Sequence, residues 1–172
     1  MRIGIGYDSH RFAPNRKLIL GGIEIPHELG LDGWSDADAV AHALTDAILG
    51  AAALGDIGRM FPPTDPRWRN ANSIDLLTKA NLKAVEQGFA FVQGDLTIVA
   101  ERPKLAGIIP KMEERLAEAL AVGATHLSVK AKTNEGMGWI GRGEGIAVIA
   151  VALLEEHGPE RLSRELSGLS EL

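Results

Sequence analysis

Asp8 and His10, set in Gly6-Tyr7-Asp8-Ser9-His10, and His42, closing Ser35-Asp36-Ala37-Asp38-Ala39-Val40-Ala41-His42, have the types and spacing of metal ligands. Residues i and i+2 of an extended segment project to the same side of the backbone, so Asp8 and His10 can converge on one ion from a strand. His42 falls where Ala41, Leu44, Ile48 and Leu49 follow helical spacing, and can reach the same ion from a helix. Two imidazoles, one carboxylate and an open position describe a catalytic zinc site rather than a structural one. Each residue also has an ordinary explanation. A lone histidine on an apolar helix is more often packed in the core than bound to metal, and Asp8 alone can serve a turn.

Four further segments place polar groups where chemistry can use them. In Gly55-Asp56-Ile57-Gly58 the glycines let backbone amides turn toward an anion, although a helix end followed by a turn is the simpler explanation. Ala100-Glu101-Arg102-Pro103-Lys104-Leu105 leaves a strand and enters a helix, bringing a lysine and free amides to a helix start that can receive phosphate; solvated charges around Pro103 are the alternative. Lys130-Ala131-Lys132-Thr133-Asn134-Glu135-Gly136 sets a cation, a hydroxyl and a carboxylate at a strand end, where a plain turn also serves. Gly141-Arg142-Gly143-Glu144-Gly145 lacks the Gly-Lys-Ser/Thr step of a P-loop and precedes a strand.

Positioning these groups falls to a predicted α+β scaffold. Residues 2–10 read as a strand, and 17–25, alternating around Gly21-Gly22, as a bent second strand that pairs with it. A helix is expected over 36–54, stopped by Gly55, then a Gly-, Pro- and Asp-rich loop to 72 whose length and stiffness signal function. Residues 73–87 form the next expected helix, with Ser73 as N-cap. The rhythm continues with a strand over 89–101, a helix over 108–120, and strands over 126–133 and 144–155. In Gly145 to Leu154 both alternating sets are apolar, so this strand should be covered on both faces, helices on one and another subunit on the other. The expected architecture is a single-domain two-layer sandwich: a mixed four-stranded sheet covered by helices on one face, plus a small N-terminal hairpin. The domain should span 1–156, and Leu162, Leu166 and Leu169 predict a short surface helix in the tail, 157–172.

The 172 residues suffice for one domain with its own core. Cysteine is absent, which excludes disulfides and thiolate zinc sites and leaves metals to His and carboxylates. A formal net charge of −5 argues against a nucleic-acid binder. No apolar run is long enough to span a bilayer, and the chain opens on strand-like residues instead of a leader, so no membrane partner and a cytoplasmic location are expected.

Taken together and in this order, Gly4 to His10, Ser35-Asp36-Ala37-Asp38 through His42, Gly55 to Gly58, Phe61 to Pro66, Glu101 to Lys104, Lys132 to Glu135 and Gly141 to Gly145 resemble the 2-C-methyl-D-erythritol 2,4-cyclodiphosphate synthase family. The resemblance covers about 1–156. It implies a phosphorus–oxygen lyase of the non-mevalonate isoprenoid pathway that closes 4-diphosphocytidyl-2-C-methyl-D-erythritol 2-phosphate into the cyclic diphosphate and releases CMP. It further implies a homotrimer, sheets facing a central axis, with active sites between subunits. Zinc, or another divalent transition metal, would sit on Asp8, His10 and His42. Magnesium or manganese would bridge the diphosphate with Glu135 as ligand. Thr133 would steady the transferring group, with Trp34 and Ser35 at the 2-phosphate. Asp56, Ile57, Gly58, Phe61, Pro62, Pro63, Thr64 and Asp65 match the segments that enclose the methylerythritol phosphate. Ala100, Glu101, Arg102, Pro103, Lys104, Leu105, Ala106, Ala131, Lys132 and Asn134 match the cytidine and phosphate contacts, and Trp139 and Arg142 positions near the substrate and trimer axis.

One residue departs from the pattern. Many members carry histidine where this chain has Trp34, so no imidazole role transfers there; the indole N–H donates but is never a base. Asp38 and Asp46, at i−4 and i+4 from His42, are candidates to orient its ring, with helix-face solvation the alternative. Two other function classes fit the same residues: a zinc-dependent phosphoester hydrolase, and a non-catalytic trimeric cytidine nucleotide sensor.

Overall fold

Strand β1 (Arg2–Ala13) opens the computed structural model, which describes residues 1–156; the tail 157–172 and its expected helix lie outside the described residues. Along β1 the residues alternate. Gly4, Gly6, Asp8 and His10 share the better-covered face, and Ile3, Ile5 and Tyr7 are exposed on the other. The chain continues through β2 (Leu18–Leu20), β3 (Ile23–Ile25), β4 (Gly30–Leu31), α1 (Ala39–Ala51), α2 (Ile57–Met60), a 3-10 turn at Pro66–Trp68 and α3 (Ser73–Glu86). Then come β5 (Phe89–Val99), α4 (Ile109–Leu120), a 3-10 turn at Ala124–His126, β6 (Leu127–Lys132), α5 (Gly138–Gly141) and β7 (Gly145–Glu156). The result is a single α+β domain with a mixed sheet.

The main sheet has five strands, not four, in the order β4-β1-β7-β5-β6, with β5 and β6 parallel and the other neighbours antiparallel. The added strand, β4, is two residues long, too short to show any alternation. The expected pairing of 2–10 with 17–25 does not occur. One edge of β1 is taken by β7, from Arg2↔Leu154 to Arg11↔Gly145, and its far end pairs with β4. Residues 17–25 instead fold on themselves as the β2–β3 hairpin, turning at Gly21 and Gly22, whose φ values of +57° and +74° suit glycine.

Helix α1 starts later than 36 because Asp38 caps it, accepting the amides of Val40 and Ala41 at 3.0 and 3.1 Å. The same carboxylate accepts the Gly21 and Gly22 amides at 2.8 and 2.6 Å, fastening the hairpin to the helix start. Burial pushes Asp38 up to about 6 against the pull of those amides, and Asp36 adds to the rise. α1 lies directly on β1. A Cβ at Gly4 or Gly6 would come within 1.9 Å of the carbonyl oxygens of Ala47 and Ala43, so only glycine permits this approach. Leu44 and Ile48 are fully buried beneath, each worth about 1.5–3 kcal/mol of apolar burial.

Strand β7 is covered on one face only. Ile146, Val148, Ala150, Ala152 and Leu154 are buried on the helix side, whereas Ile149 and Val151 on the other remain 43% and 39% exposed. That open face continues through Ile3, Ile5 and Tyr7 of β1. Within one chain the helices cover one face, and the other, for which cover by another subunit is expected, is left open. No helix among the described residues is long and apolar enough to cross a membrane.

Candidate metal centre and adjoining cavity

Asp8 and His10 reach the helix side of the sheet because β1 alternates, and His42 meets them from α1 because Gly4 and Gly6 let that helix settle on the strand. Asp8 Oδ2 lies 2.9 Å from His10 Nε2 and 2.9 Å from His42 Nδ1, and the two nitrogens are 3.3 Å apart. All three ligand atoms fall within 4.8 Å of one another, so the group can hold a metal ion. The outer nitrogens are engaged as well. His10 Nδ1 faces the Asp32 carbonyl at 2.6 Å, which can only accept, so that nitrogen carries hydrogen and Nε2 is left to bind. His42 Nε2 faces Ser73 Oγ at 2.8 Å and Ser35 Oγ at 3.1 Å. An imidazole held this way from behind is the arrangement metal sites use.

Burial opposes charge on Asp8 and His10 alike, yet their mutual hydrogen bond and attraction prevail. Asp8, bonded also to His42, sits well below the usual carboxylate range, and His10 is raised. The two aspartates expected to orient His42 do other work. Asp38 caps α1, and Asp46 accepts the Ile57 amide at 2.7 Å, with burial pushing its pKa up. Their carboxylates are spent on backbone amides instead of the imidazole. Ser73, expected as an N-cap, and Asp36, expected at a helix start, take that role instead; the Asn72 side chain caps α3.

A cavity of about 160 Å³ opens beside the group, bounded by His10, Ser35 and His42 and by Trp34, Ile57, Gly58, Phe61 and Pro63. Trp68 and Leu76 complete it, neither foreseen as site residues. Trp68 meets Phe61 edge to face at 5.0 Å between centroids, a contact across the loop that sequence spacing does not signal. Trp34 is 43% exposed, with the Arg69 guanidinium 5.8 Å above its ring. Asp56 caps α2 through the Arg59 amide at 2.8 Å, and Asp65 caps the following turn and pairs with Arg67; Pro62 is half-buried and Thr64 exposed.

The remaining candidates gather elsewhere. Glu101 Oε1 accepts the amides of Asn134 at 2.9 Å and Gly136 at 3.1 Å, clamping the 132–136 turn to the segment 100–106. Within that turn Thr133 donates to Glu135 at 2.7 Å, and Glu135 holds φ +51°. Ala100 donates its amide to the Lys132 carbonyl at 2.9 Å, and Leu105 is buried; Arg102, Lys104, Ala106, Ala131 and Lys132 are exposed, and Pro103 is half-buried. Trp139 borders a second cavity with Ser9 and His10, and Arg142 a third with Glu101 and Arg102. In the sheet Asp8 faces Val148, Val148 faces Ile98, and Ile98 faces Ala131. At strand spacing that row puts Ala131 about 14 Å from Asp8. The candidates of one chain thus fall into two separate groups, and none of residues 100–106 or 131–135 lines the cavity at the metal group.

Fold and site define a single-domain α+β protein with a candidate catalytic metal centre of two histidines and a carboxylate. The YgbB family matches residues 1–155, and the chain belongs to it. The 2-C-methyl-D-erythritol 2,4-cyclodiphosphate synthase of Symbiobacterium thermophilum is 56% identical over 154 residues, covering 90% of this chain and 98% of that protein. Among solved structures, the bifunctional IspDF from Campylobacter jejuni matches with a TM-score of 0.87 at 44% identity, over 90% of this chain and 42% of that one. A 2C-methyl-D-erythritol-2,4-cyclodiphosphate synthase in its CDP-bound form matches with a TM-score of 0.82 at 38% identity, over 90% of this chain and all of the other.

Proposed function

We propose that this chain is a cyclodiphosphate synthase, converting 4-diphosphocytidyl-2-C-methyl-D-erythritol 2-phosphate into 2-C-methyl-D-erythritol 2,4-cyclodiphosphate and CMP. The observation that carries the reading is the Asp8–His10–His42 group beside the cavity walled by Ile57, Gly58, Phe61 and Pro63, in a member of the YgbB family. The substrate's own 2-phosphate attacks the β-phosphorus, and CMP leaves with the bonding pair. Such a transfer needs alignment and charge neutralisation more than covalent help.

Asp8, His10 and His42 would hold zinc, or a similar divalent metal, which would supply a Lewis acid and a template for phosphate oxygens. Glu135 would hold magnesium or manganese, which would neutralise charge on the diphosphate. The protein's own groups do the positioning. Backbone amides at Trp34 and Ser35 hold the 2-phosphate, and the Trp34 indole covers it as a donor. Phosphate is already ionised near neutral pH, so the absence of a base at position 34 is tolerated. Asp56 to Gly58 and Phe61 to Asp65 enclose the methylerythritol, while 100–106, Ala131, Lys132 and Asn134 hold cytidine and phosphate, with Thr133 on the transferring group. Trp139 and Arg142 lie between these regions.

The separation of the two groups within one chain, and the uncovered apolar face of β1 and β7, support a homotrimer in which a neighbour completes each active site. The cysteine-free composition fits a cytoplasmic enzyme. A hydrolase would need a free carboxylate base beside the group, but Asp46, Asp56 and Asp36 are each committed to amides. Phosphorus NMR of the purified protein incubated with the cytidine diphosphate substrate and magnesium tests the proposal. Cyclic diphosphate and CMP are expected; inorganic phosphate would indicate hydrolysis, and binding of CMP without turnover a sensor.

A further inference from the structure

His42 is gripped at its outer nitrogen by a directed chain of hydrogen bonds. Its Nε2 lies 2.8 Å from Ser73 Oγ, and the Ser73 hydroxyl is bonded to Asp36 Oδ1. The Ser73 backbone amide donates to Asp36 Oδ2 at 3.0 Å, so one carboxylate takes both polar hydrogens of this residue. Ser73 is fully buried at the first position of α3. Asp36 is fixed in the preceding loop by its own amide, which donates to the Ala71 carbonyl at 3.1 Å.

We infer that Asp36 and Ser73 are positioning residues that set the tautomer of His42, and thereby the metal affinity of the group. The inference rests on the metal-centre reading above. A hydroxyl has one hydrogen. Once Ser73 gives it to a carboxylate, which can only accept, its oxygen presents lone pairs to His42, and Nε2 must supply the hydrogen. Nδ1 is then the nitrogen that offers a lone pair toward Asp8 and His10. Asp8 pulls the other way, since its carboxylate attracts hydrogen to Nδ1 at 2.9 Å. The chain from Asp36 opposes that pull. Ser35 Oγ, 3.1 Å from Nε2, cannot set the direction, because its hydrogen has no carboxylate partner and is free to point at the imidazole.

An asparagine at position 36 cannot reproduce the arrangement. With its amide nitrogen toward Ser73 Oγ it reverses the chain, and with that nitrogen toward the Ser73 N–H it loses the second bond. Asp36→Asn and Ser73→Ala, each confirmed as folded by circular dichroism, should bind zinc about 10–100-fold more weakly than the wild type in chelator competition. Nitrogen-15 NMR of histidine-labelled, metal-free protein at alkaline pH should show hydrogen on Nε2 of His42 in the wild type and a shift toward Nδ1 in Ser73→Ala, where Asp8 alone pulls, and in Asp36→Asn wherever the chain is reversed. Wild-type zinc affinity and an unchanged tautomer in both variants would overturn the inference. Should the wild type itself bind no zinc, the metal-centre reading fails, and the NMR comparison alone decides whether Asp36 and Ser73 position the ring.

Discussion

His42 is fastened from both sides, by Asp8 at Nδ1 and by Ser73 at Nε2, so its loss is felt by metal and scaffold differently. His42→Ala should abolish metal binding and turnover. The Ser73 hydroxyl keeps its bond to Asp36, so the variant should remain folded by circular dichroism. Full activity in the metal-free variant would contradict the site. Glu135→Gln should lower turnover far more than CMP affinity, which a magnesium titration of both proteins checks. The metal-free group also predicts a pH profile. His10 is raised, so its contribution to stability is complete below the ordinary 6.5 and is lost as pH rises through the folded value. Asp8 is depressed, so its contribution is present above 3.8 and is lost only as pH falls through its folded value. Thermal melts of metal-free protein should therefore show this stabilisation between 3.8 and 6.5 and its decline on the alkaline side, and His10→Ala should lack the decline.

Among the elements, the contact of α1 with β1 matters most, because it carries His42 to Asp8 and His10. Gly6→Ala would drive a methyl group into the Ala43 carbonyl, 1.9 Å away in the native geometry, and the helix must lift. A loss of about 3 kcal/mol or more in urea denaturation is expected, with weakened zinc binding in whatever remains folded. Equal stability would mean that α1 has slack the geometry does not show. Most element positions were legible from periodicity and stop signals, since β1, α3, β5, α4, β6 and β7 all fall within a few residues of expectation. What periodicity could not give was partnership: strand alternation in 17–25 is the same whether it pairs with 2–10 or folds on itself.

For the whole molecule, the two faces of β7 separate two outcomes that its sequence merges. Val148 points into the core and is fully buried, so Val148→Lys should cost several kcal/mol, roughly the price of an unpaired buried charge, and prevent folding. Ile149 is 43% exposed on the open face, so Ile149→Lys should fold yet fail to assemble. Sedimentation equilibrium at micromolar concentration should show a trimer for the wild type and a folded monomer for Ile149→Lys. A monodisperse wild-type monomer would remove the basis for an intersubunit site.

The sequence by itself determined the ligand set, because a chain without cysteine leaves metal chemistry to His and carboxylates, and because spacing i and i+2 in a strand forces Asp8 and His10 to one side. It also determined the α+β class and, through the order of its motifs, the family resemblance. Tertiary structure decided what lies behind the ligands. Ser73 and Asp36 are separated from each other by 37 positions and bear no periodic signal, so their grip on His42 exists only once α3 packs beside α1. The same holds for the five-strand order and for the apolar face left open. Side-chain pattern reports that a face is apolar, but only the packed chain reveals whether its own helices can cover it.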